Sequence, residues 1–134
     1  MITIYTSHNS NSSRKAKAWL RKYQIPFVEQ NVFVKPPSYQ AFKQILSRTE
    51  NGTVDIISTR SKAYHQLQAV LNDELSLRQL YDLVSKHPGL LRQPLIIDDR
   101  RLQIGYNIDD IRQFLPRKIR RLELIAAQRK TDAA

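Results

Sequence analysis

Ile2-Thr3-Ile4-Tyr5-Thr6 and, beyond one helix, Phe27-Val28-Glu29-Gln30-Asn31-Val32 are the two stretches whose reading decides the fold. The first is short and rich in β-branched residues, the mark of a buried strand. It runs into Ser7-His8-Asn9-Ser10-Asn11-Ser12-Ser13, a series of turn and helix-capping residues after which a helix is expected. Ala16, Trp19, Leu20 and Tyr23 follow the i, i+3, i+4, i+7 rule, and the opposite face carries Arg14, Lys15, Lys17, Arg21 and Lys22. Pro26 stops that helix, and the second stretch reads as another strand. A strand, a helix and a strand this closely spaced form a βαβ unit with parallel strands.

Outward from this unit, Pro36-Pro37 breaks the pattern, and helical periodicity takes over to about Lys86. Phe42, Ile45 and Leu46 mark one short helix, Tyr64, Leu67 and Leu71 a second, and Leu77, Leu80, Tyr81 and Val84 a third, with Ser38 and Ser76 as N-caps. Thr49-Glu50-Asn51-Gly52-Thr53 is a turn whose glycine can take a positive φ. After His87-Pro88-Gly89 the β pattern returns: Pro94 to Asp98 as a strand, Asp99-Arg100 as a tight turn, and Arg101 to Tyr106 as the antiparallel partner. Asn107 is expected to cap a helix containing Ile108, Ile111, Phe114 and Leu115, and a basic segment with Ile119, Leu122 and Ile125 at helical spacing follows Pro116. This order, βαβ then ββα, predicts an α/β, thioredoxin-like fold with a mixed sheet. Residues 1–35 and 88–134 form its core and helical tail, and 36–87 an inserted helical sub-domain.

The chain has 134 residues, the size of one domain. Its 22 Lys and Arg outnumber 12 acids for a net charge of +10, a field that attracts polyanions or acidic protein surfaces. It contains no cysteine, which excludes disulfides, thiol nucleophiles and thiolate-bound metals. His8, His65 and His87 lack metal-ligand spacing, so neither a metal nor a cofactor is expected. No apolar run approaches a membrane span, and Met1 precedes a strand rather than a signal peptide. A cytoplasmic binding protein is expected, not an enzyme.

Several stretches carry a resemblance. They include Ile4-Tyr5-Thr6-Ser7, Ala18-Trp19-Leu20, Ile25-Pro26-Phe27-Val28, and Ile56-Ile57-Ser58-Thr59-Arg60-Ser61-Lys62. His87-Pro88-Gly89-Leu90-Leu91-Arg92, Pro94-Leu95-Ile96-Ile97-Asp98 and Phe114-Leu115-Pro116-Arg117-Lys118 continue it. Over nearly its whole length the chain resembles the Spx regulators, in the arsenate-reductase-like branch of the thioredoxin-like fold. The resemblance implies a regulator that binds the C-terminal domain of the RNA polymerase α subunit, alters promoter use in stress, and meets promoter DNA within the polymerase complex. It also implies turnover by the ClpXP protease, whose substrates' tails the Ala133-Ala134 end resembles, and a cis Gln93–Pro94 bond. Many members sense oxidants through a CxxC pair; the matching positions here are Ser10 and Ser13. Serine forms no disulfide, so the redox switch is absent. Either the chain is a paralogue without the switch, or both cysteines were replaced by their near-isostere.

Ser10 and Ser13 have a structural reading, as helix caps, and a functional one, as a weak anion site. By resemblance Gly52 lies at the contact with the α subunit, flanked by Asn51 and Glu50; independently, a glycine in an exposed turn allows close backbone approach, and it is equally readable as a plain turn residue. Arg92 either holds an anion beside Ser10, as its counterpart does in arsenate reductases, or pairs with Asp98 or Asp99. Arg60 and Lys62 diverge at i, i+2 and present charge to DNA or polymerase, or form a solvated helix end. Arg117 to Arg121 is a basic run that can meet DNA backbone, though such runs are usually solvated. The alternatives to a polymerase-binding regulator are an arsenate-reductase-like oxidoreductase that has lost its nucleophile and an autonomous DNA-binding protein.

Overall fold

The computed structural model describes residues 1–72 and 74–133. β1 (Ile2–Thr6) and β2 (Phe27–Asn31) flank α1 (Asn11–Lys22) and pair in parallel, with Ile4 opposite Glu29. β3 (Leu95–Ile97) lies antiparallel on the other side of β1, and β4 (Leu102–Ile104) antiparallel beside β3, giving the order β2-β1-β3-β4. This is the mixed sheet that the βαβ and ββα order predicts.

Successive side chains on a strand point to opposite faces, and here each face has its own core. Ile2, Ile4 and Ile96 point to a layer formed by Ala16, Trp19 and Leu20 of α1 together with Ile111, Phe114 and Leu115. Tyr5, Leu95 and Ile97 point the other way. They join Phe42 and Ile45 of α2 (Tyr39–Ser47) and Leu80 and Val84 of α4 (Leu77–Lys86) in one hydrophobic cluster. Residues 36–87 thus cover one face of the sheet, with the short α3 (Lys62–Leu67) beside Gly89. Ser38 and Ser76 cap α2 and α4 as expected, and at α4 Gln79 completes a reciprocal capping box with Ser76.

Four expectations are corrected. α1 starts at Asn11, inside the polar run, because Ser10 supplies the cap. β2 ends at Asn31; Val32 leaves the strand yet is fully buried, its N–H donating to Thr6 O at 2.9 Å. Asn107 is not a helix cap: its Oδ1 accepts from the N–H groups of Asp109 and Asp110 in the turn that leads into a 3-10 helix, Asp110–Phe114, whose N-cap position is Asp109, and Ile108 is exposed rather than in the core. In α5 (Arg117–Ala133) only Ile119 of the three apolar residues packs inward; Leu122 and Ile125 are exposed. Ala134, on which the protease expectation partly rests, lies outside the described residues.

The edge strand is fastened to α1 by Glu29, which accepts from Thr6 Oγ1 and pairs with Lys17 Nζ, both at 2.9 Å. Partial burial works against the Glu29 charge. The hydrogen bonds from Lys17 and Thr6 and the charges of Lys17 and Arg21 outweigh it, so its pKa falls below the ordinary carboxylate value. A depressed carboxylate stabilises the fold above its unfolded pKa, about 4.3, and that contribution is lost as pH falls through the lower folded value. Glu29→Gln is therefore expected to be less stable than the parent at neutral pH by about 1 kcal/mol or less, since the pair is partly exposed. Denaturant midpoints measured against pH should show the gap closing below about pH 4; a constant gap would rule the linkage out.

Candidate functional site

Two regions gather the residues singled out by the sequence. The first is the N-terminus of α1. Ser10 has extended backbone geometry, and its Oγ accepts from the Ser13 N–H at 3.0 Å. Ser13 is not a cap: it sits within the first turn, 1% exposed, and its Oγ has no hydrogen-bond partner among the described residues. Arg14, whose charge opposes the helix dipole, turns back over the loop, donating to His8 O at 3.2 Å and to Asn11 Oδ1. A cleft of about 460 Å³ opens in front, lined by Ser7, His8, Ser10, Phe33, Ser58 and Gln93. The Gln93–Pro94 bond beside it is cis.

The two serines predict opposite mutational outcomes. Ser10→Ala removes the cap acceptor and is expected to cost about 1 kcal/mol. Ser13→Ala removes a buried hydroxyl with nothing to bond, and is expected to be neutral or stabilising by up to about 1 kcal/mol. Urea denaturation of the two variants checks the contrast, and equal losses would contradict it.

Arg92 stands outside this cleft. The isolated bridge between Ile57 and Leu91 sets residue 92 beside Ile56, and the Arg92 N–H donates to Ile56 O at 2.8 Å. Its guanidinium then reaches Asp55 O at 3.4 Å. It meets neither Ser10 nor the two aspartates: Asp98 Oδ1 accepts from the N–H groups of Arg100 and Arg101, and Asp99 O accepts from Arg48.

The second region is the turn at Glu50-Asn51-Gly52. Gly52 has φ 78°, and a Cβ there would meet nothing within 4 Å. One carboxylate pins the turn from below: Asp55 Oδ2 accepts from Glu50 N–H at 3.1 Å and Asn51 N–H at 2.9 Å. Thr49 Oγ1 accepts from Gly52 N–H at 3.1 Å. Sequence reading missed Asp55; an acid closing an Asn-Gly turn from four residues away was the available signal. Beside the turn Val54 is 70% exposed. Arg60 and Lys62 lie further along, exposed and on either side of Ser61, whose Oγ caps α3 by accepting from Tyr64 N–H. Neither forms an ion pair among the described residues, and no group of three acids or histidines there could hold a metal.

The ArsC family model matches residues 5–114. A global transcriptional regulator Spx of Bacillus subtilis (strain 168) is 54% identical over 129 residues, covering 96% of this chain and 98% of the relative. Its counterpart in Lactiplantibacillus plantarum is 55% identical over 128 residues, 96% of each chain. The chain belongs to the ArsC family, among its Spx regulators.

Solved structures agree on the fold alone. A possible arsenate reductase from Streptococcus mutans UA159 aligns with a TM-score of 0.70 at 23% identity, over 83% of this chain and 97% of that one. A putative arsenate reductase from Yersinia pestis gives 0.70 at 21% identity, over 86% and 98%. As an Spx regulator the chain acts in transcription. Within the family fold its α1 N-terminus presents a hydroxyl bound as a cap, with no thiol.

Proposed function

We propose that this chain regulates transcription by docking on the C-terminal domain of the RNA polymerase α subunit through the turn at Glu50, Asn51 and Gly52. The observation that carries the reading is the turn's construction. Its backbone is held by Asp55 and Thr49, so little ordering entropy remains to be lost on binding. The glycine leaves the surface open to close backbone approach, and the exposed Val54 beside it supplies apolar contact. Arg92 supports the same turn from beneath through the Asp55 carbonyl. Arg60 and Lys62 carry charge toward promoter DNA in the assembled complex, a role carried out in the cytoplasm. Turnover by ClpXP belongs to the same reading.

The chain is not an enzyme in this reading. Reduction of an oxyanion needs a thiolate nucleophile, and the corresponding hydroxyl at Ser10 is committed to its own helix. Capture of the purified chain on the immobilised C-terminal domain of the α subunit tests the proposal. Retention at micromolar concentration is expected, and loss to the flow-through would overturn it. Thiol-dependent arsenate reduction by the purified chain would overturn the non-enzymatic part.

A further inference from the structure

We propose that the outward face of α5 is a contact surface for duplex DNA, reading the sugar-phosphate backbone rather than base edges. Its place of action, at a promoter, rests on the transcriptional reading above; its chemistry does not.

The helix runs 17 residues, about 25 Å at 1.5 Å per residue. It is fastened along one side only. Ile119 packs with Ile111, Phe114 and Leu115, and Glu123, one turn on, pairs with Arg112. At 100° per residue, Arg117 and Arg121 lie on the side opposite Ile119 and Glu123, with Lys118 and Arg129 together on one side of them. All four are exposed, and none has an acidic partner among the described residues. Glu123 is the one acid between 117 and 131, and it is already engaged.

Left alone, this arrangement is unfavourable. The first turn holds cations and no acid, against the helix dipole, and Arg117 and Arg121 repel each other at i, i+4. A polyanion relieves both. Lys118 and Arg129 stand eleven residues apart on one side, about 16 Å, which spans on the order of five base-pair steps of duplex. An anionic bilayer is the poorer fit. Leu122 and Ile125 are exposed about 60° apart, on the side of Lys118 and Arg129, but Leu124 lies about 160° from Leu122, so two side chains interspersed with cations are too little apolar surface to sink into lipid.

The test is fluorescence anisotropy of the full chain on a short labelled duplex across a salt series. Four backbone contacts predict a slope of log affinity against log salt steeper by about 3 to 4 than that of Arg117→Gln/Lys118→Gln/Arg121→Gln/Arg129→Gln. The variant should also bind at least about tenfold more weakly at low salt. Glutamine keeps helix propensity, and circular dichroism verifies it; the milder Arg121→Gln/Arg129→Gln should lose about half the slope. A control removing equal charge elsewhere, at Lys15, Lys22, Lys35 and Arg100, is expected to lose distinctly less. Equal loss in that control would overturn the proposal in favour of bulk charge. So would α5-dependent binding to phosphatidylglycerol vesicles with none to duplex. Capture by the α-subunit domain, measured on the same variants, should be unchanged. If even the parent fails capture, the docking proposal falls while the duplex measurement still decides this one.

Discussion

Gly52→Arg is expected to abolish capture by the C-terminal domain of the α subunit, weakening binding by about 100-fold or more, while the chain stays folded. The substitution has two separable effects. A residue other than glycine at φ 78° is strained, which costs on the order of 1–2 kcal/mol of stability. The second effect is on the partner. Apart from the glycine and its two neighbours, no atom lies within 4 Å of where a Cβ would stand, so the arginine side chain leaves the backbone into open space and projects from the turn. A partner seated against the glycine backbone is then held off, and loss of one well-packed contact region commonly removes about 2–4 kcal/mol. Gly52→Ala separates the terms. It carries the same backbone strain with one methyl, so a similar fall in the urea midpoint is expected, with binding kept within about tenfold. If alanine abolished capture as completely as arginine, the turn's conformation and not close approach would be the determinant. Undiminished binding by Gly52→Arg would place the interface elsewhere.

Much of the fold was legible because burial and periodicity agreed. Ala16, Trp19 and Leu20 recur at helical spacing and all three face the sheet, and Ile2, Ile4 and Tyr5 are buried because β1 is an inner strand covered on both faces. Boundaries were less legible where several residues could do one job. Six of the seven residues from Ser7 to Ser13 are Ser or Asn, any of which can cap a helix, and the hydrogen bond from the Ser13 N–H to the Ser10 Oγ shows that Ser10 does. The segment after Asn107 carries apolar residues at helical spacing, but it is held as a short 3-10 turn by the contacts of Ile111 and Phe114, which leaves Ile108 in solvent.

The candidate site divides in the same way. Gly52 was readable from local chemistry, since an Asn-Gly pair in a polar run needs a turn. Arg92 was not. Its partner, the Asp55 carbonyl, is 37 positions away in sequence and is brought near by the single bridge between Ile57 and Leu91. Backbone carbonyls are acceptors on every residue, so charge-based pairing from sequence leads to Asp98 and Asp99 instead. The Asp98 carboxylate is taken up by the backbone of its own turn, and Arg92 forms no ion pair with Asp99 among the described residues.

The largest loss of stability is expected from Phe42→Ala. Phe42 is fully buried at the centre of the cluster that joins α2 and α4 to the sheet, and its ring lies 5.4 Å from that of Tyr81. Removing a phenyl ring from such a site forfeits its transfer free energy and leaves a cavity, roughly 3–5 kcal/mol together. For a domain whose whole stability is about 5–15 kcal/mol, that consumes a large share. The effect should reach function through geometry. α2 ends at Ser47, and Leu46 O, at its last turn, accepts the Thr49 hydroxyl that in turn receives the Gly52 N–H. Loosening α2 therefore loosens the turn that docks. Urea denaturation should show the midpoint falling, and capture by the α-subunit domain should weaken in proportion to the unfolded fraction. Full capture at a temperature where circular dichroism shows α2-dependent helicity lost would separate the turn from the cluster and refute the coupling.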